Sequence, residues 1–270
     1  MAGEPDWVPP GVDVKRANTA RVYDYWLGGS HNFLADRDLA RAISAVEPNA
    51  RAGARANREF LGRAVRCLSA AGIRQFLDIG SGIPTQGNVH EVAQQASPGS
   101  RVVYADVDPV AIAHSKAILA GNENTAILDA DLRDQEKILG DPAVQRLIDF
   151  GQPAGLLLVM VLHFIDDDAD PWQMVARLRD ALAPGSYLVL AHATTESRPA
   201  VAQAAETVYN RSVSTGIRMR SRADILRFFD GFELLDPGLV YIPQWRPDSP
   251  ADVPDDPGKF WVLVGVGRKP

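Results

Sequence analysis

Two glycines and two aspartates set the first chemical expectation. The segment Asp78-Ile79-Gly80-Ser81-Gly82-Ile83-Pro84-Thr85 follows a short apolar run, Gln75–Ile79. Glycine lacks a Cβ, so positions 80 and 82, with Ser81 between them, let the backbone approach a ligand closely. A helix predicted over Thr85–Gln95 would aim its N-terminal amides at negative charge. A second apolar run, Arg101–Ala105, ends at Asp106, where a carboxylate can accept hydrogen bonds from both hydroxyls of a ribose. Strand, glycine turn, helix and an acid closing the next strand together predict a site for a nucleoside-containing cofactor at the carboxyl ends of parallel strands.

The kind of cofactor is narrowed by what the turn lacks. A dinucleotide fingerprint has a third Gly or Ala three residues after the second glycine, for close helix–strand packing. Here that position is Thr85, preceded by Pro84. A pyrophosphate also favours an uncluttered turn, whereas Asp78 puts a carboxylate just before the glycines. A carboxylate there suits an ammonium or sulfonium group, which points to S-adenosylmethionine over a nicotinamide dinucleotide.

The elements that must position these residues form three stretches. Up to residue 74 the pattern is helical: Asn18 or Thr19 caps a helix reaching Leu27 and ended by Gly28-Gly29, a second helix starts near Asp36, and a third spans Arg51 to Ala71. From 75 to 193, strands and helices alternate. Pro109–Ala120 and Asp170 to Leu182 read as helices, while Thr125–Leu128, Leu156–Leu162 and Ser186–Ala191 read as strands. The nearly all-aliphatic Leu156–Leu162 fits a strand buried on both faces of a parallel sheet. Residues 194–270 add a helix over Pro199–Tyr209, another over Arg222–Phe229, and two strand-like segments, Phe232–Leu235 and Phe260–Val266. The expected fold is a Rossmann-like α/β domain over 1–270: a doubly wound, mostly parallel seven-stranded sheet with a C-terminal antiparallel hairpin and an N-terminal helical cap.

Composition excludes several classes. With 34 acidic and 28 basic residues the net charge is −6, which disfavours a general nucleic-acid or anionic-membrane binder. The longest apolar run, Leu156 to Ile165, contains His163 and is about half of what a membrane span needs. Cys67 is the single cysteine, so no intrachain disulfide or cysteine-rich zinc site forms. The acidic, proline-rich Met1 to Pro10 has no apolar core, so the expectation is a cytoplasmic protein. No metal-binding spacing occurs, and the acidic run Asp166, Asp167, Asp168 and Asp170 reads as loop solvation and helix capping.

The motifs DIGSG (Asp78–Gly82), YADVDP (Tyr104–Pro109), DADL (Asp129–Leu132) and LAPGS (Leu182–Ser186) resemble, in order and spacing, those of class I S-adenosylmethionine-dependent methyltransferases. More narrowly, the chain resembles an actinomycete S-adenosyl methyltransferase family. That likeness is carried by ARVYDYWLGG (Ala20–Gly29), NREF (Asn57–Phe60), RQFLDIG (Arg74–Gly80), NVHE (Asn88–Glu91), VLHFI (Val161–Ile165) and SRAD (Ser221–Asp224). The resemblance implies that Gly80–Gly82 lies under the methionine and ribose parts of S-adenosyl-L-methionine, and that Asp78 meets its amino group. It likewise implies Asp106 on the ribose, Val107 on the adenine, and Asp131 with Leu132 at the adenine amino group. Val161 and His163 would stand beside the reactive end. Ser186 departs from the class, which more often has a second glycine in that turn.

Other residues are candidates by type and place. Tyr23, Tyr25, Asn32 or Phe33 could close the pocket over the cofactor, or simply pack on the sheet. Arg58 either pairs with the cofactor carboxylate or is an exposed helix cation. His163 and His192 each follow an apolar strand, where a base could take a proton from an oxygen or nitrogen nucleophile of a small-molecule acceptor. Arg211, Arg218, Arg220, Arg222 and Arg227 form either a solvated face or a reception site for an anion. Two rival functions share these motifs: a nicotinamide-dependent oxidoreductase and a non-catalytic S-adenosylmethionine-binding protein.

Overall fold

The aliphatic runs become the centre of an eight-stranded sheet in the computed structural model, which describes residues 8–85, 87–213 and 216–270. Strands β1 (Gln75–Ile79), β2 (Arg101–Asp106), β3 (Thr125–Asp129), β4 (Gly155–Val159) and β5 (Tyr187–Ala193) are parallel, in the order β3-β2-β1-β4-β5. β1, β4 and β5 are buried along their whole length, as strands covered on both faces must be. The chain winds outward from β1 to β3, then returns to β4 on the other side of β1. The carboxyl ends of β1 and β4 therefore flank a crevice at a topological switch point, where open α/β sheets bind ligands.

Two pieces, β6 (Glu233–Leu234) and β7 (Val240–Tyr241), share the outer position of the sheet. They pair with different parts of β8 (Val262–Arg268), β6 at Gly267–Arg268 and β7 at Leu263–Val264. β8 runs antiparallel to β5, from Tyr187 opposite Arg268 to Ala193 opposite Val262. β7 gave no sequence signal because two residues ahead of Ile242-Pro243 show no alternation.

Helices α1 (Thr19–Leu27), α2 (Leu34–Val46) and α3 (Ala50–Ala70) precede the sheet. Asn18 caps α1 by accepting from the Ala20 amide at 2.8 Å. α3 lays Phe60, Ala64 and Leu68, all fully buried, against the sheet. Between the strands come α4 (Val89–Ala96), α5 (Pro109–Ile118), α6 (Gln135–Gly140), α7 (Pro142–Leu147) and α8 (Pro171–Ala181). α9 (Pro199–Ser212) and α10 (Arg222–Leu226) follow β5. Val22, Leu39, Ile43, Tyr209 and Val213 form a small second core, so α9 packs on the N-terminal helices above the carboxyl edge of the sheet. No helix among the described residues is long and apolar enough to cross a membrane.

Three boundaries differ from expectation, each for a local reason. α4 begins at Val89, four residues later than predicted, because Asn88 is the N-cap and its amide donates to the Glu91 carboxylate at 2.9 Å. Gln86, inside the predicted helix, lies outside the described residues. β4 stops at Val159 because Met160 turns to a left-handed φ of 59° and Leu162–Phe164 winds into a 3₁₀ turn. β5 runs on to Ala193, which places His192 inside the strand.

Asp36 ties the N-terminal helices together. Its carboxylate is fully buried, accepts from the amides of Asn18 (2.8 Å) and Phe33 (2.7 Å), and lies 3.7 Å from Arg21 Nε. Asp36→Ala leaves the two amides with no carboxylate to accept from them. It is expected to cost about 3 kcal/mol, the scale of two charge-assisted hydrogen bonds. The check is a lower urea midpoint with an unchanged slope.

Candidate active site

A cavity of about 260 Å³ opens where the carboxyl ends of β1, β2 and β4 meet α1, α3 and α9. Gly80 (φ 77°) and Gly82 (φ 68°) both take the left-handed conformation that side chains resist. A Cβ at Gly80 would stand 2.4 Å from Val161 Cγ2, whereas one at Gly82 would meet nothing within 4 Å. The close approach at Gly80 is thus already taken by Val161, and only Gly82 opens toward a ligand. Ser81 between them has a buried hydroxyl with no partner.

Asp106 builds the turn as well as facing the cavity. Its Oδ2 accepts from the Gly82 amide at 2.7 Å, and its Oδ1 from the amides of Val107 (2.8 Å) and Asp108 (2.9 Å). A carboxylate offers roughly four acceptor positions. What remains on Oδ2 suits one ribose hydroxyl, where the sequence suggested two. Val107 is 52% exposed beside it, an apolar surface free to pack on a flat ring. Asp131 and Leu132 line the same end of the cavity. Asp131 is held below the usual carboxylate range by Arg133, whose backbone and guanidinium both donate to it.

Asp78 and Arg58 face each other's charge on the opposite wall. Asp78, at 5% exposure, is pushed up to about 7 by burial, with Arg58 opposing and Asp106 adding to the shift. Arg58 Nε is buried without a partner, and its guanidinium lies 5.8 Å from the centre of the Tyr23 ring. Tyr23 stitches α1 to α3: its hydroxyl donates to the Ala54 carbonyl (3.0 Å) and accepts from Asn57 Nδ2 (2.8 Å). Asn57 Oδ1 is left buried and unpaired.

The two histidines separate. His163 lies on the cavity wall, 2% exposed, with Nδ1 unpaired. Burial, helped by His192 and Arg220, holds its imidazole well below the ordinary histidine value, so it is neutral near pH 7. His192 is not on the wall. It is fully buried in β5, pushed down to about 3 mainly by burial, with Nδ1–H donating to the Ala193 carbonyl (2.7 Å) and Nε2 accepting from Arg220 (2.9 Å). The catalytic expectation for His192 is therefore corrected to a structural one.

Asn32 is corrected likewise. It does not line the cavity; its amide donates to the buried Asp24 carboxylate at 2.7 Å and to the Gly29 carbonyl at 3.0 Å. The arginine group mostly bonds within the protein. Arg220, 3% exposed, donates to the carbonyls of Leu162 (2.9 Å) and Ile165 (2.7 Å) and to Asp167 (2.8 Å). Arg218 meets Asp167, Arg222 meets Glu196, and Arg227 stacks 3.8 Å over Trp172. The brace at Arg220 escaped sequence reading because its partners lie 28 and 53 residues away. Glu47 and Trp261 also line the cavity and carried no motif to reveal them, while Trp26, which lines it too, sits in the Ala20–Gly29 segment without being singled out there.

A switch-point cavity, an open glycine turn and an antiparallel β8 beside β5 define a class I S-adenosylmethionine-dependent methyltransferase. The chain belongs to the S-adenosyl methyltransferase family, whose model matches residues 5–270. Among solved structures, it is similar to a methyltransferase candidate from Thermobifida fusca YX, with 44% identity, a TM-score of 0.93, and coverage of 98% of this chain and 99% of that one. A DUF574 family protein from Streptomyces avermitilis MA-4680 follows at 38% identity and a TM-score of 0.91, covering 96% and 99%. An O-methyltransferase family protein from Burkholderia thailandensis, at 14% identity and a TM-score of 0.52 over 81% and 60%, shares the fold. No curated protein matches the chain. Family membership decides for S-adenosylmethionine over a dinucleotide. In the structure the Asn88 amide leading into α4 is already taken by the Glu91 carboxylate at 2.9 Å, which puts negative charge at that helix start.

Gly80→Ala tests the packing of the turn. A 2.4 Å approach to Val161 combined with a left-handed φ is expected to cost about 2–5 kcal/mol and to abolish cofactor binding. Adding Val161→Ala should recover only a small part of the melting temperature, because it removes the Cγ2 contact but leaves Val161 Cβ 2.6 Å away and the left-handed φ in place.

Proposed function

We propose that residues 1–270 act as one cytoplasmic unit that moves a methyl group from S-adenosylmethionine to an oxygen or nitrogen of a small-molecule acceptor. The observation that carries the placement is a concentration of buried, unpaired polar atoms beside Asp78: Asn57 Oδ1, Arg58 Nε and Ser81 Oγ. Buried polar atoms are almost always paired, so three on one wall call for a polar ligand. The amino-acid end of the cofactor has the opposite set: an ammonium for Asp78 and Asn57, and a carboxylate for Arg58 and Ser81. The backbone at Gly82 and the remaining position on Asp106 then take the ribose. Val107 packs on the adenine, and Asp131 with Leu132 receives its amino group.

When bound, the cofactor supplies an electrophilic methyl on a sulfonium and leaves as the neutral thioether. The chain does the positioning. Val161 and His163 stand where the nucleophile must line up with the methyl and sulfur. Tyr23 and α9 cover the cavity and exclude water, which strengthens charge contacts within it. The neutral His163 imidazole, with Nδ1 unpaired, orients the nucleophile by accepting a hydrogen bond from it. The covered cavity favours a small acceptor, and the net charge of −6 argues against nucleic acid.

The protonation of Asp78 gives a sharp test. Its folded value lies above the unfolded 3.8, so the folded state binds more protons between about pH 4 and 7, and stability of the free protein falls as pH rises through that window. A cofactor ammonium needs the ionised carboxylate. S-Adenosylhomocysteine is therefore expected to bind more weakly as pH drops below about 7 and to release a proton on binding. Calorimetry in buffers of different ionisation enthalpy reads that release, and Asp78→Asn should remove both effects. Proton-neutral binding by the parent chain would contradict the assignment. Asp106→Ala is expected to weaken S-adenosylhomocysteine by about 1.5–3 kcal/mol, the scale of a charge-assisted hydrogen bond.

A further inference from the structure

The cavity extends past everything the cofactor motifs use. At that end lie Trp26 of α1, Glu47 at the close of α2, and Phe260 and Trp261 just before β8. β8 is three strand spacings from β1, about 14 Å across the sheet. Glu47 lies on the same side: α3 starts at Ala50, and its first-turn Gly53 packs on Phe260, where a Cβ would stand 3.8 Å from the ring. Asn57 and Arg58, assigned to the cofactor, are four and five residues past Gly53, about 6–8 Å further along that helix.

This end has its own unmet polar atoms. Glu47 is 5% exposed, and its Oε1 accepts from the Asn49 amide at 2.5 Å. Burial pushes this carboxyl up, opposed by the backbone and side chain of Asn49 and by Arg198, and Oε2 itself is buried with no partner at full hydrogen-bond geometry, as are the indole Nε1 atoms of Trp26 and Trp261. Arg198, the cation whose charge reaches Glu47, donates instead to Asp256 at 2.5 Å. Trp261 holds a left-handed φ of 52°, strain for a bulky residue of the kind concentrated in ligand sites. A buried carboxylate with a free oxygen beside aromatic rings fits an ammonium group, which pairs with the carboxylate and is attracted by ring faces, while the two indole N–H donors call for an acceptor elsewhere on the same ligand.

We infer that this end of the cavity is an amine-recognising subsite, in which Glu47 holds a protonated amine on an apolar, ring-bearing acceptor. The inference rests on the methyltransferase placement above. It also separates two positions on the substrate. The amine bound to Glu47 has its lone pair committed to a proton, so it is a handle and not the nucleophile. The atom that takes the methyl is a different oxygen or nitrogen, nearer His163.

The experiment titrates the full chain, saturated with S-adenosylhomocysteine, with tryptamine and 2-phenylethylamine and with the matching alcohols, tryptophol and 2-phenylethanol. Each amine is expected to bind at least 10-fold more tightly than its alcohol. Glu47→Gln should erase that preference while leaving S-adenosylhomocysteine affinity within twofold, which also reports that the variant is folded. Glu47→Asp keeps the charge one methylene further back and should retain a reduced preference. Equal binding of amine and alcohol, no binding of either amine, or a preference that survives Glu47→Gln would overturn the subsite. Failure of the parent chain to bind S-adenosylhomocysteine overturns the cofactor placement, and the subsite with it.

Discussion

The three amides gathered by the Asp106 carboxylate hold the site together. One belongs to Gly82 in the turn after β1, and two belong to the start of the segment leading into α5. β1 and β2 are neighbours in the sheet, and beyond their carboxyl ends the turn also meets β2 and α5 through the Gly80 amide on the Ala105 carbonyl (2.8 Å) and through Ile83, which packs with Val110 and Ala111. A single buried carboxylate fixes both loops against each other, and Gly82 keeps its open side toward the cavity because its amide is anchored from behind. Asp108 continues the same logic by capping α5 through the amides of Val110 and Ala111. Turn, second-strand acid and helix start are therefore one hydrogen-bonded unit.

Above that unit, the protein places polar atoms where it does not satisfy them. Seven of the residues with unpaired buried atoms line the cavity: Trp26, Glu47, Asn57, Arg58, Ser81, His163 and Trp261. Their desolvation is a standing cost that the fold carries through its large aliphatic core. The same atoms sort into two sets by position, one beside the glycine turn and one toward β8, which matches the two halves of a group-transfer site.

Much of the fold was legible because buried parallel strands leave uninterrupted aliphatic runs, and Asp108-Pro109 and Asp170-Pro171 mark helix starts unmistakably. That the residues proposed for the cofactor would line one cavity was legible for a related reason, since most of them cluster at strand ends within local motifs. What sequence could not give was pairing at long range. Asn32 and His192 are polar residues in suggestive places, yet each is consumed by a partner that only the folded chain brings near: Asp24 across the Gly-Gly break, and Arg220 from beyond α9. Glu47 shows the converse. It reads as an ordinary acid ending a helix, and only its burial reveals a role.

The split outer strand has a consequence for the company this chain keeps. An open sheet edge invites another chain to add a strand, and proteins commonly blunt such edges by shortening them. Here β6 and β7 are two residues each, and they cover separate parts of β8. Between them, the Leu235 amide donates to the Val266 carbonyl at 2.8 Å, so the gap is partly closed as well. On this side the sheet offers no continuous ladder for a newcomer to copy. Self-association across that edge must proceed through side chains, whose composition can change without disturbing the backbone beneath.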